Sequence, residues 1–135
     1  MKRTNYIIAN WKMNGFEKSI SLIKSIQKHL VSKASNSPKV IICPPFTLLS
    51  NFIKKSKKQI KFGAQDVHHE DSGAFTGSIS APMLKELGVD YVIIGHSERR
   101  QYQKESILEL EKKINSAFSN KLRVIFCIGE KLEEI

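Results

Sequence analysis

The 135-residue chain has two cysteines, four prolines, seven glycines and, in its first half, almost no acid. Two cysteines cannot frame a disulfide-stapled fold, and neither a Cys-x-x-Cys pair nor a Cys/His pair at zinc spacing occurs. Cys43 and Cys127 each end an apolar run, Val40-Ile41-Ile42 and Val124-Ile125-Phe126, and both read as buried reduced thiols of a reducing compartment. The low glycine and proline content excludes collagen-like and low-complexity chains, and 41% apolar with 26% charged residues excludes disorder. No apolar run approaches the ~20 residues of a membrane span. The longest uncharged stretch, Val40–Ile53, is interrupted by Pro44 and Pro45. Lys2 and Arg3 are followed only by Tyr6–Ala9, too short for a signal-peptide core. The expectation is a soluble cytoplasmic chain, residues 1–135 forming a single domain without a membrane partner.

The shortage of acids is local. Residues 1–65 hold 13 Lys/Arg and one acid, whereas residues 66–135 hold 9 and 12, which leaves the net charge at +9. Such asymmetry raises the question of a nucleic-acid footprint. Only four of the 22 basic residues are arginine, however, and aromatics are not interleaved among them. Lys54, Lys55, Lys57, Lys58 and Lys61 read as one solvated side of a helix and its exit. No nucleic-acid partner is expected.

Hydrophobic period alternates short apolar strands with longer amphipathic segments. Strands are predicted at Tyr6–Asn10, Lys39–Cys43, Lys61–Gln65, Tyr91–Gly95 and Arg123–Ile128. Helices are predicted at Phe16–Lys33, from a Thr47 cap to about Lys57, at Ala81–Leu87 closed by Gly88, and at Glu105–Ser119. Lys131–Ile135 resembles the opening of a fifth helix. Near-continuous Val/Ile strands separated by helices require parallel pairing, as an open doubly wound sheet or a (β/α) barrel. Neither Gly-x-Gly-x-x-Gly nor a P-loop follows any strand. In both architectures function lies beyond the carboxyl ends of the strands.

Strand one exits through Asn10-Trp11-Lys12-Met13-Asn14, and period two puts Ile8, Asn10 and Lys12 on one face. A lysine at the carboxyl edge beside an amide is placed to hold an anion such as a phosphate. Alone, it reads more readily as a surface lysine snorkelling outward. Strand four exits through Gly95-His96-Ser97-Glu98, aligning Ile94, His96 and Glu98. A histidine just before helical residues lies near a positive helix terminus, which favours the neutral imidazole. Such a ring donates a hydrogen bond to a carbonyl oxygen without full proton transfer. Isolated, it is a satisfied structural group, but Lys12 and Glu98 as neighbours favour a functional reading.

The segment Asp66–Ser80 is too long for an idle βα turn. Adjacent residues such as His68, His69, Glu70 and Asp71 rarely converge on one ion, so no metal is expected. Gly73 and Gly77 around Phe75 and Thr76 suggest a shaped contact loop that binds a partner.

Four motifs, in order and at matching spacings, resemble the triosephosphate isomerases. They are Asn10-Trp11-Lys12-Met13-Asn14; Gly63-Ala64-Gln65-Asp66-Val67 leading to Gly73-Ala74-Phe75-Thr76-Gly77; Ile94-Gly95-His96-Ser97-Glu98-Arg99-Arg100; and Cys127-Ile128-Gly129-Glu130. The resemblance implies a TIM barrel that interconverts dihydroxyacetone phosphate and glyceraldehyde 3-phosphate through an enediolate, without cofactor, in glycolysis and gluconeogenesis. It implies that Asn10 and Lys12 bind substrate, that His96 polarises the carbonyl, and that Glu98 pairs with Lys12. Phe75, Thr76 and Gly77 would contact a second subunit of a homodimer, and Cys127 would pack behind the site.

The fold class expected is α/β, an incomplete TIM (β/α)8 barrel of about five parallel strands and four helices. The fold typically needs eight strands and about 250 residues. The resemblance places the glutamate base after a sixth strand and most phosphate-binding loops after strands six to eight. Asp66, Glu98 and Glu130, the acids near strand ends, do not match that base motif. A truncated isomerase half, an inactive remnant of a degraded gene and a non-enzymatic self-associating half-barrel all remain open from sequence. Strands one and five would be sheet edges, and the isolated chain is expected to be unstable unless it associates.

Overall fold

The computed structural model describes residues 3–30 and 37–129. Five strands, β1 (Tyr6–Asn10), β2 (Lys39–Cys43), β3 (Ile60–Ala64), β4 (Tyr91–Ile94) and β5 (Arg123–Phe126), form one sheet in chain order. Every neighbouring pair is parallel. That order separates the two architectures left open by sequence. A doubly wound sheet reverses its strand order at a switch point, whereas a sheet in chain order sends every right-handed crossover to the same face. The other face is left to curl on itself, and the result is a half-barrel of five adjacent strands.

The two faces of the sheet have different fates. Val40, Ile42, Ile60, Phe62, Val92 and Ile94 point toward the helices and form the main core with residues such as Ile23, Leu49, Phe52, Leu84 and Leu110. On the concave side a smaller cluster holds Ile41, Cys43, Tyr91 and Ile93, with Ile125 and Cys127 against it. Gly63 belongs to this inner face because only glycine fits there. A Cβ would lie 2.6 Å from the Cys43 sulfur and 3.4 Å from the Tyr91 Cβ. The half-barrel therefore closes tightly between β2 and β4 at the one position that lacks a side chain.

The helices are α1 (Ile20–His29), α2 (Phe46–Lys55), α3 (Ala81–Leu87), α4 (Ser97–Tyr102) and α5 (Ile107–Ser119). Sequence predicted four. The added one, α4, has no buried residue and no apolar period to announce it. The first predicted helix opens as a 3₁₀ turn, Glu17–Ser19, and α1 stops at a Leu30 cap, with 31–36 outside the described residues. Thr47 does not cap α2. Pro45, extended at φ −54° and ψ 151°, holds that place, and its carbonyl accepts the Leu48 N–H, which puts Thr47 inside the first turn. Helix α3 ends as predicted on Gly88, whose φ of 89° is left-handed and suits a residue without Cβ. Helix α5 starts two residues later than predicted, at a Ser106 cap that accepts the Glu109 N–H. The predicted helical opening Lys131–Ile135 lies outside the described residues.

Edges fall where expected. β1 and β5 have one neighbour each, and Ile7, Ile8 and Phe126 are exposed by 56%, 41% and 49%. Cys43 is buried, but Cys127, just past the edge strand β5, is only partly covered because among the described residues no strand flanks it on the far side. Burial pushes the Cys43 thiol up to about 12, against a hydrogen bond from the Gly63 backbone that favours the thiolate.

Candidate functional site

The side chains singled out at the carboxyl ends of β1 and β4 meet. Lys12 Nζ lies 2.7 Å from Glu98 Oε1 across 86 residues of sequence, and Glu98 Oε2 lies 3.5 Å from His96 Nδ1. Lys12 and Glu98 are about half exposed and His96 less so, so all three face open space above the sheet. The Lys12 hydrogen bond, joined by the Lys12 charge, outweighs desolvation and holds the Glu98 carboxyl below its ordinary range.

Each member is set by local structure. His96 is the N-cap of α4, and its Nδ1 accepts the Glu98 backbone N–H at 3.3 Å. A ring nitrogen that accepts a backbone N–H carries no proton, so in this arrangement the ring donates through Nε2 alone. That nitrogen is free to address a carbonyl oxygen. Asn10, the last residue of β1, turns its Oδ1 to the Lys12 N–H at 2.9 Å. Lys12 itself adopts φ 54°, a left-handed conformation costly for a residue with a Cβ. The turn that aims its ammonium depends on this backbone.

Sequence reasoning missed Gln65. Its amide donates to the Lys12 carbonyl at 2.8 Å and to the Cys43 carbonyl at 2.9 Å, tying the ends of β1 and β2 from just beyond β3. Period two places Gln65 on the inner face with Lys61 and Gly63, and an amide on that face at the carboxyl end was the available signal.

Behind the site a second charged group is almost dry. Lys113 Nζ contacts Glu105 Oε1 at 2.6 Å and Asp66 Oδ1 at 2.8 Å. Arg99 bridges the same two carboxylates, Nε to Glu105 Oε1 at 2.7 Å and NH2 to Asp66 Oδ2 at 2.8 Å. The side chains of Lys113 and Glu105 are each 3% exposed. Burial pushes Asp66 up despite its two cations. For Glu105 burial acts the same way, but the Lys113 and Arg99 hydrogen bonds outweigh it and hold the carboxyl below its ordinary range.

The loop after β3 runs from Asp66 behind the site and is tied to α5 through Asp71. His68 stacks between His69 (4.4 Å) and Phe75 (4.2 Å), and Asp71 accepts from Asn120 Nδ2 at 3.0 Å. Phe75 is 43% exposed, and Thr76 and Gly77 lie at the exposed tip. None of Phe75, Thr76 and Gly77 joins the Lys12–His96–Glu98 group; they form a separate exposed surface.

A family model described as triosephosphate isomerase matches residues 5–135. The chain belongs to the triosephosphate isomerase family. Among curated relatives, the triosephosphate isomerase of Alkaliphilus metalliredigens is 48% identical over 134 residues, covering 98% of this chain and 53% of the relative. That of Clostridium novyi is 47% identical, with 98% and 52% covered. The crystal structure of the triosephosphate isomerase from Bartonella henselae superposes with a TM-score of 0.90 at 40% identity, covering 98% of this chain and 54% of that one. The chain thus spans about half the length of the family members it matches. Its five strands correspond to part of a TIM barrel, and the family is one of isomerases.

Proposed function

We propose that residues 1–135 form a single domain supplying the Lys12–His96 side of a triose-phosphate isomerase site, which interconverts dihydroxyacetone phosphate and glyceraldehyde 3-phosphate. The observation that carries this reading is the convergence of Lys12, Glu98 and His96 from two strand ends at the carboxyl edge of the sheet.

The reaction needs a proton removed from the carbon beside a carbonyl, with the electron pair passing to the carbonyl oxygen as an enediolate. The proton then returns to the neighbouring carbon. Lys12 places a positive charge where phosphate and the developing oxyanion gather, and Asn10 fixes the Lys12 turn and offers its amide to substrate. Glu98 holds the ammonium in place. His96 donates through Nε2 to the substrate oxygens and relays the proton between them. The base that takes the carbon-bound proton is not supplied by the five strands described. Its absence costs a contribution typically of 10²–10⁴-fold.

The exposed tip at Phe75, Thr76 and Gly77, with Met13 95% and Phe16 72% exposed beside the site, supports a homodimer in which this loop packs against the second subunit. A cytoplasmic role in glycolysis and gluconeogenesis follows from the reaction. Among the described residues no helix is long and apolar enough to cross a membrane.

A coupled isomerase assay tests the reading. The purified chain is assayed alone and after mixing with the separately expressed carboxyl-terminal half of a relative. Turnover in the mixture alone, abolished by Lys12→Met, is the expected result. Folded halves that associate without turnover would overturn the reading, and turnover by the chain alone would overturn the assignment of the base to another segment.

A further inference from the structure

Helix α4 carries Glu98 and is capped by His96, yet it has only six residues and buries none of them. A helix of under two turns has no stability of its own, because the cost of nucleation is not recovered over so few hydrogen bonds. Something else must fix its direction. The residue after Glu98 is Arg99, and its guanidinium reaches two carboxylates, the buried Glu105 and the partly covered Asp66.

We infer that the closed ring of Asp66, Arg99, Glu105 and Lys113 is a positioning device that sets α4 so that Glu98 meets Lys12. Its four members come from four places: the start of the long loop after β3, α4, the turn before α5, and α5 itself. The two cations balance the two carboxylates of the ring, with Glu109 a looser third carboxylate 3.9 Å from Lys113 Nζ, so the ring brings no excess positive charge to the site. What it adds is direction. A guanidinium fork engages two carboxylates in fixed planes, which a freely rotating ammonium cannot do. As a source of stability alone the arrangement is poor, since charges taken from water rarely recover their hydration. Glu105 Oε2 is buried without any hydrogen bond. The cost is understandable if the ring serves geometry rather than stability.

This inference rests on reading Lys12 and Glu98 as site residues, but its test reads their geometry and not turnover, so failure of the isomerase reading leaves the result interpretable. The carboxyl carbon of Glu98 is followed by NMR across a pH titration in the full chain and in Arg99→Lys, which keeps the charge and loses the fork. Its titration midpoint is expected to rise toward the ordinary glutamate range in Arg99→Lys. In Lys61→Gln, which breaks the exposed Lys61–Asp90 pair (3.1 Å) elsewhere on the sheet, it is expected to stay put. A folded Arg99→Lys with a lower melting temperature and an unmoved Glu98 midpoint would reduce the ring to a structural contact and overturn the proposal. Should Arg99→Lys not fold, Glu105→Gln preserves shape and an acceptor oxygen while removing the charge that both cations share. There a raised midpoint supports the proposal and an unchanged one refutes it.

Discussion

Gly63 offers the sharpest test of how the half-barrel packs. Gly63→Ala places a Cβ 2.6 Å from Cys43 Sγ, where an unstrained carbon–sulfur contact needs about 1 Å more, and the Tyr91 Cβ at 3.4 Å and Ile41 Cγ2 at 3.5 Å block retreat. Every one of these neighbours is at most 4% exposed, so none has solvent to move into. Overpacking of this kind costs about 1–3 kcal/mol. For a chain of this length that lowers the melting temperature by roughly 4 °C per kcal/mol. Rotating Cys43 about χ1 is the available escape, but it forfeits the hydrogen bond from the Gly63 backbone to sulfur. Cys43→Ala alone removes the sulfur and opens a small void, costing about 1 kcal/mol. Combined, the two changes compensate, because the new methyl occupies the space the sulfur vacated. Urea melts of the four proteins close a double-mutant cycle, and the double variant is expected to be more stable than the sum of the singles by about 1–2 kcal/mol. Additive losses, or a Gly63→Ala cost below about 0.5 kcal/mol, would refute the claim that the inner face is closed at this point.

Three further outcomes are expected. Gln65→Ala removes the amide that ties the Lys12 and Cys43 carbonyls; loss of about 1–2 kcal/mol in urea melts, with faster exchange of the Trp11 N–H that bonds Cys43 O at 3.0 Å, is the predicted readout. The buried Cys43 thiol keeps its proton to about 12, whereas the unfolded chain releases it near 9.0, so the unfolded state binds fewer protons above that pH and stability must fall as pH rises. This group contributes a slope of about 1.4 kcal/mol per pH unit above pH 9, and the difference between wild-type and Cys43→Ala melts at pH 8 and pH 10 isolates it. Ser106→Ala leaves the Glu109 N–H (3.2 Å) without its cap, and a loss of about 0.5–2 kcal/mol in thermal melts is expected.

Much of the fold was legible because its signals are local. Val/Ile runs mark the strands, Gly88 marks a helix end, and residues at strand ends are where parallel α/β folds gather chemistry. Lys12, His96 and Glu98 were found by that rule. What sequence could not show was held by contacts distant in the chain. Helix α4 reads as five polar or charged residues and a tyrosine, and it is helical through a cap and an ion ring rather than an apolar stripe. Thr47 satisfied the cap rule and lost its place to Pro45, whose fixed backbone already provides the extended entry. Lys113 did leave a readable sign: it lies on the buried stripe of α5 with Leu110 and Ala117, where a lysine requires partners. Those partners, Asp66 and Glu105, become visible only once the loop after β3 is laid across the helix.

The left-handed backbone of Lys12 sets chemistry and durability against each other. At φ 54° a side chain is held at a cost of roughly 1 kcal/mol that glycine does not incur. Lys12→Gly would relieve that strain, offset by the greater unfolded-state freedom of glycine, and would leave no cation to meet Glu98. A library screened for folding and then for anion binding should separate at this one position, which makes residue 12 a marker of whether a descendant of this chain was kept for its structure or for its reaction.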